Sequence, residues 1–390
     1  MYRLLNPTRN YAWGSRTALA DLLGRPAPDG EPEAELWVGA HPAASSLLVG
    51  ADGARTPLDA AIAEHPAQML GPAGPVLPFL LKVLAVDQPL SLQVHPDRSA
   101  AAAGFAAEEA AGPARDAETR TFRDANHKPE LVCALTPFDA LCGLRPEAEI
   151  MALLGELAVP QLAAAAEGLA GHGGADALRH LVETILGSAD PSELVDRVAD
   201  RARRQREGSP WAESYDCAID LAERCPGDPG VVVSLLLNLV HLRPGEAMYT
   251  PPGRLHAYLR GVAIELMASS DNVVRGGLTG KHVDVDQLLR LTDFEAARIE
   301  VITAQADGTG WNRYPVPVPD FALSTVDLGD GAVSSHDPGP QVLFCLDGAV
   351  AVQDGIATLN LARGQSLFAV AGTHLTARGT GRLVRATAGA

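Results

Sequence analysis

Short apolar runs broken by Gly and Pro fill the first 146 residues. "ELWVGAHPAASSLLV", "LPFLLKVLAV", "LSLQVH" and "ELVCALTPFDALCG" read as β-strands with turns between them. In "SLQVHPD" (91–97) a strand puts Ser91, Gln93 and His95 on one face and Leu92 and Val94 on the other. Core packing accounts for the apolar pair. The serine, amide and imidazole need a polar partner. The Ala/Glu-rich segment 101–125 reads as a short helix followed by a mobile connector. Between 147 and 225, "EAEIMALLGEL", "DALRHLVETILG" and "PSELVDRVADRARRQ" repeat apolar positions about every 3.6 residues, with Ser192 beside Pro191 as a cap. This predicts a helical insertion. Strand patterning returns in "GVVVSLLLNLVHLRPGEAMYTPP" and continues past 316. "RPGEAMYTPPGRLHAY" and "LARGQSLFAVAGTHL" share a turn, a strand and a second turn, as two related β units would. The alternation favours a mainly β sandwich or jelly roll. Neither a G-x-G-x-x-G after a strand nor a phosphate-loop motif supports a nucleotide fold.

Composition narrows the partners. A chain of 390 residues exceeds one compact core, so two or three subdomains are expected. Hydrophobic content of 47% with 20% charged residues is that of a soluble globular protein. No apolar run approaches the roughly 20 residues that cross a bilayer, and "MYRLLNPTRNYAWGS" lacks the apolar segment of a secretory leader. Five cysteines without C-x-x-C spacing argue against a disulfide framework and predict a cytoplasmic protein. A net charge of −17 weighs against nucleic acid, while a few local cations still permit a small anionic ligand. Of 31 basic residues only Lys82, Lys128 and Lys281 are lysines, as if arginine cannot replace them there.

Gln93 and His95 can share one metal ion if further ligands exist. Glu130 in "NHKPELV" is one candidate, and His256 is another, in a turn of the form G-x5-P-x-G-x2-H (Gly245, Pro251, Gly253, His256). That turn resembles the second motif of cupins, with Arg260 where many carry Asn and Gln93 replacing the first histidine of the other motif. Two nitrogens and two oxygens suit zinc with one position open, and the ligand types also admit Mn²⁺, Fe²⁺ or Co²⁺.

The segments "YAWGS", "ELWVGAHP", "LPFLLKVL", "PLSLQVHPD", "NHKPELVCAL", "LCGLRP" and "IELMASSDNVVRGGLTGK" occur in order over residues 1 to about 290. Together they resemble the type I mannose-6-phosphate isomerases. The resemblance implies one Zn²⁺ per chain, held by Gln93, His95, Glu130 and His256. It implies interconversion of mannose 6-phosphate and fructose 6-phosphate through an enediol. The implied fold is mainly β: a cupin-type jelly-roll catalytic domain (1–146 and 226–315), a helical insertion (147–225) and a second, C-terminal cupin-like β domain (316–390). Gly280 replaces a proline usual before the lysine of "LTGK".

Such an isomerisation needs a proton carrier, a cation near the developing oxyanion and a phosphate anchor. Arg275 matches the family's active-site arginine. His127 and Lys128 precede a metal ligand, so at least one should face the cavity. Glu265 is the candidate proton carrier, and Tyr258 should share the face of His256. Ser91, Lys82 and Lys281 are the phosphate group. Asp271 and Asn272 should order the loop carrying Arg275 more than touch substrate, and Asp271 and Tyr258 join Ser91, Lys82 and Lys281 as substrate-binding candidates. Trp13 is expected to pack in a turn, and His41 to be a loop contact or a site residue. Residues 316–390 read as scaffold. The alternatives are a non-catalytic metal-binding sugar-phosphate cupin and an iron-dependent oxygen-using cupin, against which Lys128, Glu265 and Arg275, and Gln93, respectively speak. A monomer acting on a small sugar phosphate in mannose activation is the expected setting, with neither membrane nor nucleic acid as partner.

Overall fold

The computed structural model describes residues 1–389 except Asp116, Glu118 and Asp330. Two antiparallel eleven-stranded sheets form its frame. The first runs 302–303, 246–250, 130–134, 256–268, 79–86, 35–38, 8–9, with 237–242, 138–144, 93–94 and 274–275 branching from it. The strand His256–Ala268 is its spine. Its beginning pairs with 93–94 and 138–144, and its end with 79–86 and 130–134. A register shift between Tyr258 and Arg260 marks the bend. Gly261 sits there at φ 115°, where a Cβ would lie 2.5 Å from the Pro137 carbonyl, so only glycine fits. One strand thus turns a corner and closes the sheet around a cavity.

The second sheet is built from residues 305–387 together with 2–5, 47–49 and 55–57. Arg3 pairs with Leu367, so the first strand of the chain completes a sheet made largely by its end. Leu81, Val83, Ile264, Phe321, Phe344 and Phe368 lie in the core between the two sheets. Alternation decides this: Leu81 and Val83 face that core while their neighbours Leu80, Lys82 and Leu84 face the cavity.

The third layer is helical. Helices Glu147–Leu157, Pro160–His172, Gly174–Leu186, Pro191–Gln205 and Ala212–Arg224 fill the stretch read as an insertion. The cap of the fourth is Asp190, whose carboxylate accepts from Glu193 N–H at 2.9 Å, with Pro191 in the first turn; Ser192 is not the cap. The helices share one apolar core with Leu92 and Val94, which is what the apolar face of "SLQVHPD" packs against. Two further readings change. "GVVVS" is a helical turn, Gly230–Ser234, and the strand begins at Leu237. The Ala-rich segment is a fourteen-residue helix, Arg98–Ala111, capped by Asp97, and the connector after it includes Asp116 and Glu118, outside the described residues. The fold is mainly β, a jelly roll with a helical layer and a second β unit.

Candidate metal centre and active-site cavity

Strand pairing sets the cavity wall in rows, because residues directly opposite across a ladder share a face. Trp37, Lys82 and Glu265 stand opposite one another in three adjacent strands. Glu130 stands opposite Met267, one row along. Across the bend, His256, Gln93 and Arg275 form a third row. The cavity they line encloses about 410 Å³.

Three side chains meet behind this wall. His95 Nε2 lies 3.2 Å from Glu130 Oε1, and His256 Nε2 lies 3.3 Å from Glu130 Oε2. All three residues are buried, and one ligand atom from each falls within 4.8 Å of the others. The tautomers follow from their outer contacts. His95 Nδ1 is 2.8 Å from the Asn272 carbonyl and His256 Nδ1 is 2.9 Å from the Arg254 carbonyl. A carbonyl only accepts, so each Nδ1 carries the proton and each Nε2 presents a lone pair. Burial, reinforced by the Lys128 ammonium, lowers the His95 pKa to about 4, keeping the ring neutral. His95 Nε2 has no hydrogen-bond partner among the described residues although it is buried. Gln93 donates its amide nitrogen to Ser91 Oγ at 2.9 Å, which leaves its carbonyl oxygen for the cavity. Imidazole lone pairs, a carboxylate and an amide oxygen are a donor set that a divalent cation satisfies. The turn also ties the ligands together: Gly253, at φ 83°, donates its N–H to the His95 carbonyl at 2.8 Å.

Fixed charges surround this locus. Lys82 Nζ lies 3.1 Å from Glu265 Oε2 and 3.5 Å from Glu35 Oε2, with the Trp37 ring 5.1 Å away. Burial works against the Lys82 ammonium, but Glu35, Glu265 and Glu130 together hold its pKa above the ordinary range. Burial raises the Glu265 carboxyl, with Lys82 opposing and Glu130 reinforcing. Lys128 Nζ is 2.9 Å from Glu130 Oε1, and the Tyr258 hydroxyl donates to Glu130 Oε2 at 3.3 Å. Glu130 is held well below the usual carboxylate range: burial would raise it, and Lys128 and His95 outweigh that. Burial, then Glu130, pushes the Tyr258 phenol well up, so it stays a donor. Burial and neighbouring Arg123 lower the Arg275 guanidinium. Six cationic side chains face four carboxylates on the cavity wall, in a chain of net charge −17. All three lysines are among them.

Ser91, Gln93, Lys128, Glu130, His256, Tyr258, Glu265, Asp271, Arg275, Lys82 and Lys281 all line the cavity, and buried His95 adjoins it. His127 does not. Lys128 turns inward to Glu130 and His127 outward to Asp320, about a segment that Pro129 biases toward extended backbone. Lys82 is ion-paired with Glu265 and Glu35, whereas Arg275 and Lys281 form no ion pair among the described residues. Asp271 reaches back to His41 Nε2 at 3.3 Å, and His41 packs edge-on against Trp37. Asn272 is fully buried and bonds the backbone of residues 123, 124 and 126. Trp13 packs against Tyr11, as a turn residue should, and both also wall the cavity. Three charged lining residues escaped the sequence reading: Glu35, Arg120 and Arg123. Glu35 lay in the quoted "ELWVGAHP", and its place two before Trp37 on one strand face was the available signal.

Residues 1–147 match the family model for the catalytic domain of type I phosphomannose isomerase. The chain is 40% identical to the mannose-6-phosphate isomerase of Salmonella typhimurium over 396 residues, covering 99% of each. It is 33% identical to that of Rattus norvegicus over 399 residues, covering 92% of this chain and 91% of the relative. A crystal structure of a mutant phosphomannose isomerase from Salmonella typhimurium superposes with a TM-score of 0.91, at 38% identity and full coverage of both chains. A mannose 6-phosphate isomerase bound with zinc and yttrium gives a TM-score of 0.89, also at 38% identity and full coverage. With likeness of this extent in sequence and structure, the chain belongs to the type I phosphomannose isomerase family.

Proposed function

We propose that this protein is a zinc-dependent aldose–ketose isomerase that interconverts mannose 6-phosphate and fructose 6-phosphate through an enediol. The observation that carries the reading is the buried His95–Glu130–His256 cluster, with two imidazole lone pairs and a carboxylate converging, at the foot of a cavity rich in cations. Gln93 would complete the ligand set through its carbonyl oxygen. When bound there, zinc supplies Lewis-acid polarisation of sugar oxygens and a template for their orientation.

The protein's own groups divide the remaining work. Glu265, with its carboxyl raised by burial, is the proton carrier between the two carbons. Lys82 stays charged, orients Glu265 and offsets charge as the enediol forms. Lys128 donates toward the reacting oxygens from beside Glu130. Arg275 and Lys281, with Arg123 and the Ser91 hydroxyl, receive the phosphate at the cavity wall. His127 takes no direct part.

The division at 146, 226 and 315 belongs to the same proposal: the helical segment backs the Gln93 strand through the apolar core it shares with Leu92 and Val94, although strands 2–5, 47–49, 55–57, 305–306 and 312–313 join the second sheet. Five cysteines without a disulfide among the described residues support a cytoplasmic setting, and we read the chain as a monomer serving mannose activation. No helix among the described residues is long and apolar enough to cross a membrane. The test is a coupled assay of purified protein: fructose 6-phosphate should appear from mannose 6-phosphate, while unphosphorylated mannose should give no product. Equal turnover of both sugars would remove the phosphate role of the cationic wall.

A further inference from the structure

His127 and Arg98 lie close to the metal centre in sequence, three residues before Glu130 and three after His95. Their side chains leave the cavity and meet a carboxylate from the distant part of the chain. Asp320 Oδ2 is 2.9 Å from His127 Nε2, and Asp320 Oδ1 is 3.1 Å from Arg98 Nη2. Arg98 Nη2 is also 2.8 Å from His127 Nε2, so the three heads share one point. Asp320 is 8% exposed. It is fixed from behind by fully buried Phe321 and by the strand Ala322–Leu328, which pairs along 381–387. Burial opposes its charge, and His127 and Arg98 hold its pKa below the usual range.

We propose that Asp320 is a positioning residue for Lys128, acting through His127 and Arg98, so that the C-terminal β unit takes part in building the active site. The mechanism is rotational. Lys128 precedes Pro129, which favours extended backbone there, and its side chain lines the cavity while that of adjacent His127 turns away to Asp320. Fixing the His127 ring outward on Asp320 fixes the inward aim of Lys128, whose Nζ meets Glu130 Oε1 at 2.9 Å. Arg98 ties the same point to the start of the Arg98–Ala111 helix, just after His95. Glu130 itself is held by ladders on both sides of its strand and does not depend on this bracket. Asp320 therefore governs the lysine rather than the metal.

The inference rests on the isomerase reading, and the two separate in one experiment. Asp320→Ala, Asp320→Asn, His127→Ala and the double variant Asp320→Ala/His127→Ala are compared with the parent for kcat, KM, bound zinc and melting temperature. Asp320→Ala should lower kcat about tenfold, the scale of a misplaced catalytic group, with KM within about twofold and zinc content unchanged. The double variant should be no slower than the worse single one, because both act on one segment. Asp320→Asn, which still offers one acceptor, should recover part of kcat and remains informative if the alanine variant folds poorly. Parent-level kcat in Asp320→Ala, losses that multiply in the double variant, or a kcat that falls only as zinc is lost would overturn the proposal. A parent that turns over no mannose 6-phosphate defeats the isomerase reading instead.

Discussion

Replacing Lys82 by Met tests the electrostatics of the cavity wall most sharply. Methionine keeps the length and apolar stem of the side chain and removes only the ammonium. Glu265 and Glu35 then lose the cation that lies 3.1 and 3.5 Å from them. Breaking a buried ion pair on one side costs about 3–5 kcal/mol when the orphaned charge must stay. A carboxylate can instead take a proton, so the cost depends on pH. Burial already raises Glu265 while Lys82 opposes, and without Lys82 its pKa rises further. A carboxyl raised in the folded state loses stability as pH climbs from its unfolded value, about 4.3, to its folded one. The slope is about 1.4 kcal/mol per pH unit for one proton. In the parent, the raised Lys82 contributes fully below the unfolded lysine value of about 10.4, so its contribution is constant from pH 5 to 8. The variant should therefore be less stable than the parent at both pH values, with a deficit that grows by about 1–3 kcal/mol from pH 5 to pH 8. Urea unfolding followed by tryptophan fluorescence at the two pH values measures this. An equal deficit at both pH values would show a packing loss and refute the charge argument, as would a deficit under about 0.5 kcal/mol at pH 8.

Lys128→Arg should keep fold and metal but lower kcat by about 10²-fold, since a broad guanidinium cannot occupy the ammonium's place beside Glu130; parent-like kinetics would contradict it. Lys281→Ala should raise the KM for mannose 6-phosphate by about tenfold with little change in kcat, as loss of one exposed phosphate contact implies, and an unchanged KM would remove Lys281 from the site. Arg203→Gln, on the exposed face of the Pro191–Gln205 helix, should leave kcat within about twofold; a hundredfold fall in a folded variant would place chemistry in the helical layer.

The local part of the site was legible in the sequence, and the long-range part was not. Alternation in "SLQVHPD" placed Ser91 and Gln93 on the cavity and Leu92 and Val94 on the helical core, because that face rule needs no partner strand. The cupin-like turn pointed to His256 for the same reason. Glu35 and Arg123 stayed hidden, since their places depend on which strand lies beside Lys82 and on how Asn272 folds the 123–126 segment. His127 and Lys128 were indistinguishable until the direction of the segment before Pro129 was fixed from outside by Asp320. Lys82 read as a free cation because its two glutamates are far away in sequence. "GVVVS" reads as strand by its valines, yet Asp228 Oδ1 accepts the Gly230 N–H at 2.8 Å and starts a helical turn. The pairing of Arg3 with Leu367 spans nearly the whole chain, and no local pattern announces it.

The central claim is that the His95–Glu130–His256 cluster holds one zinc on which isomerisation depends. Protein stripped by chelator and titrated with Zn²⁺ tests it, with bound metal and mannose 6-phosphate turnover read on the same samples. Activity should rise in proportion to bound zinc and stop at about one per chain, while His256→Ala should bind little zinc at the same concentrations and stay inactive. Full turnover in the stripped protein, or full zinc occupancy in His256→Ala, would contradict the claim.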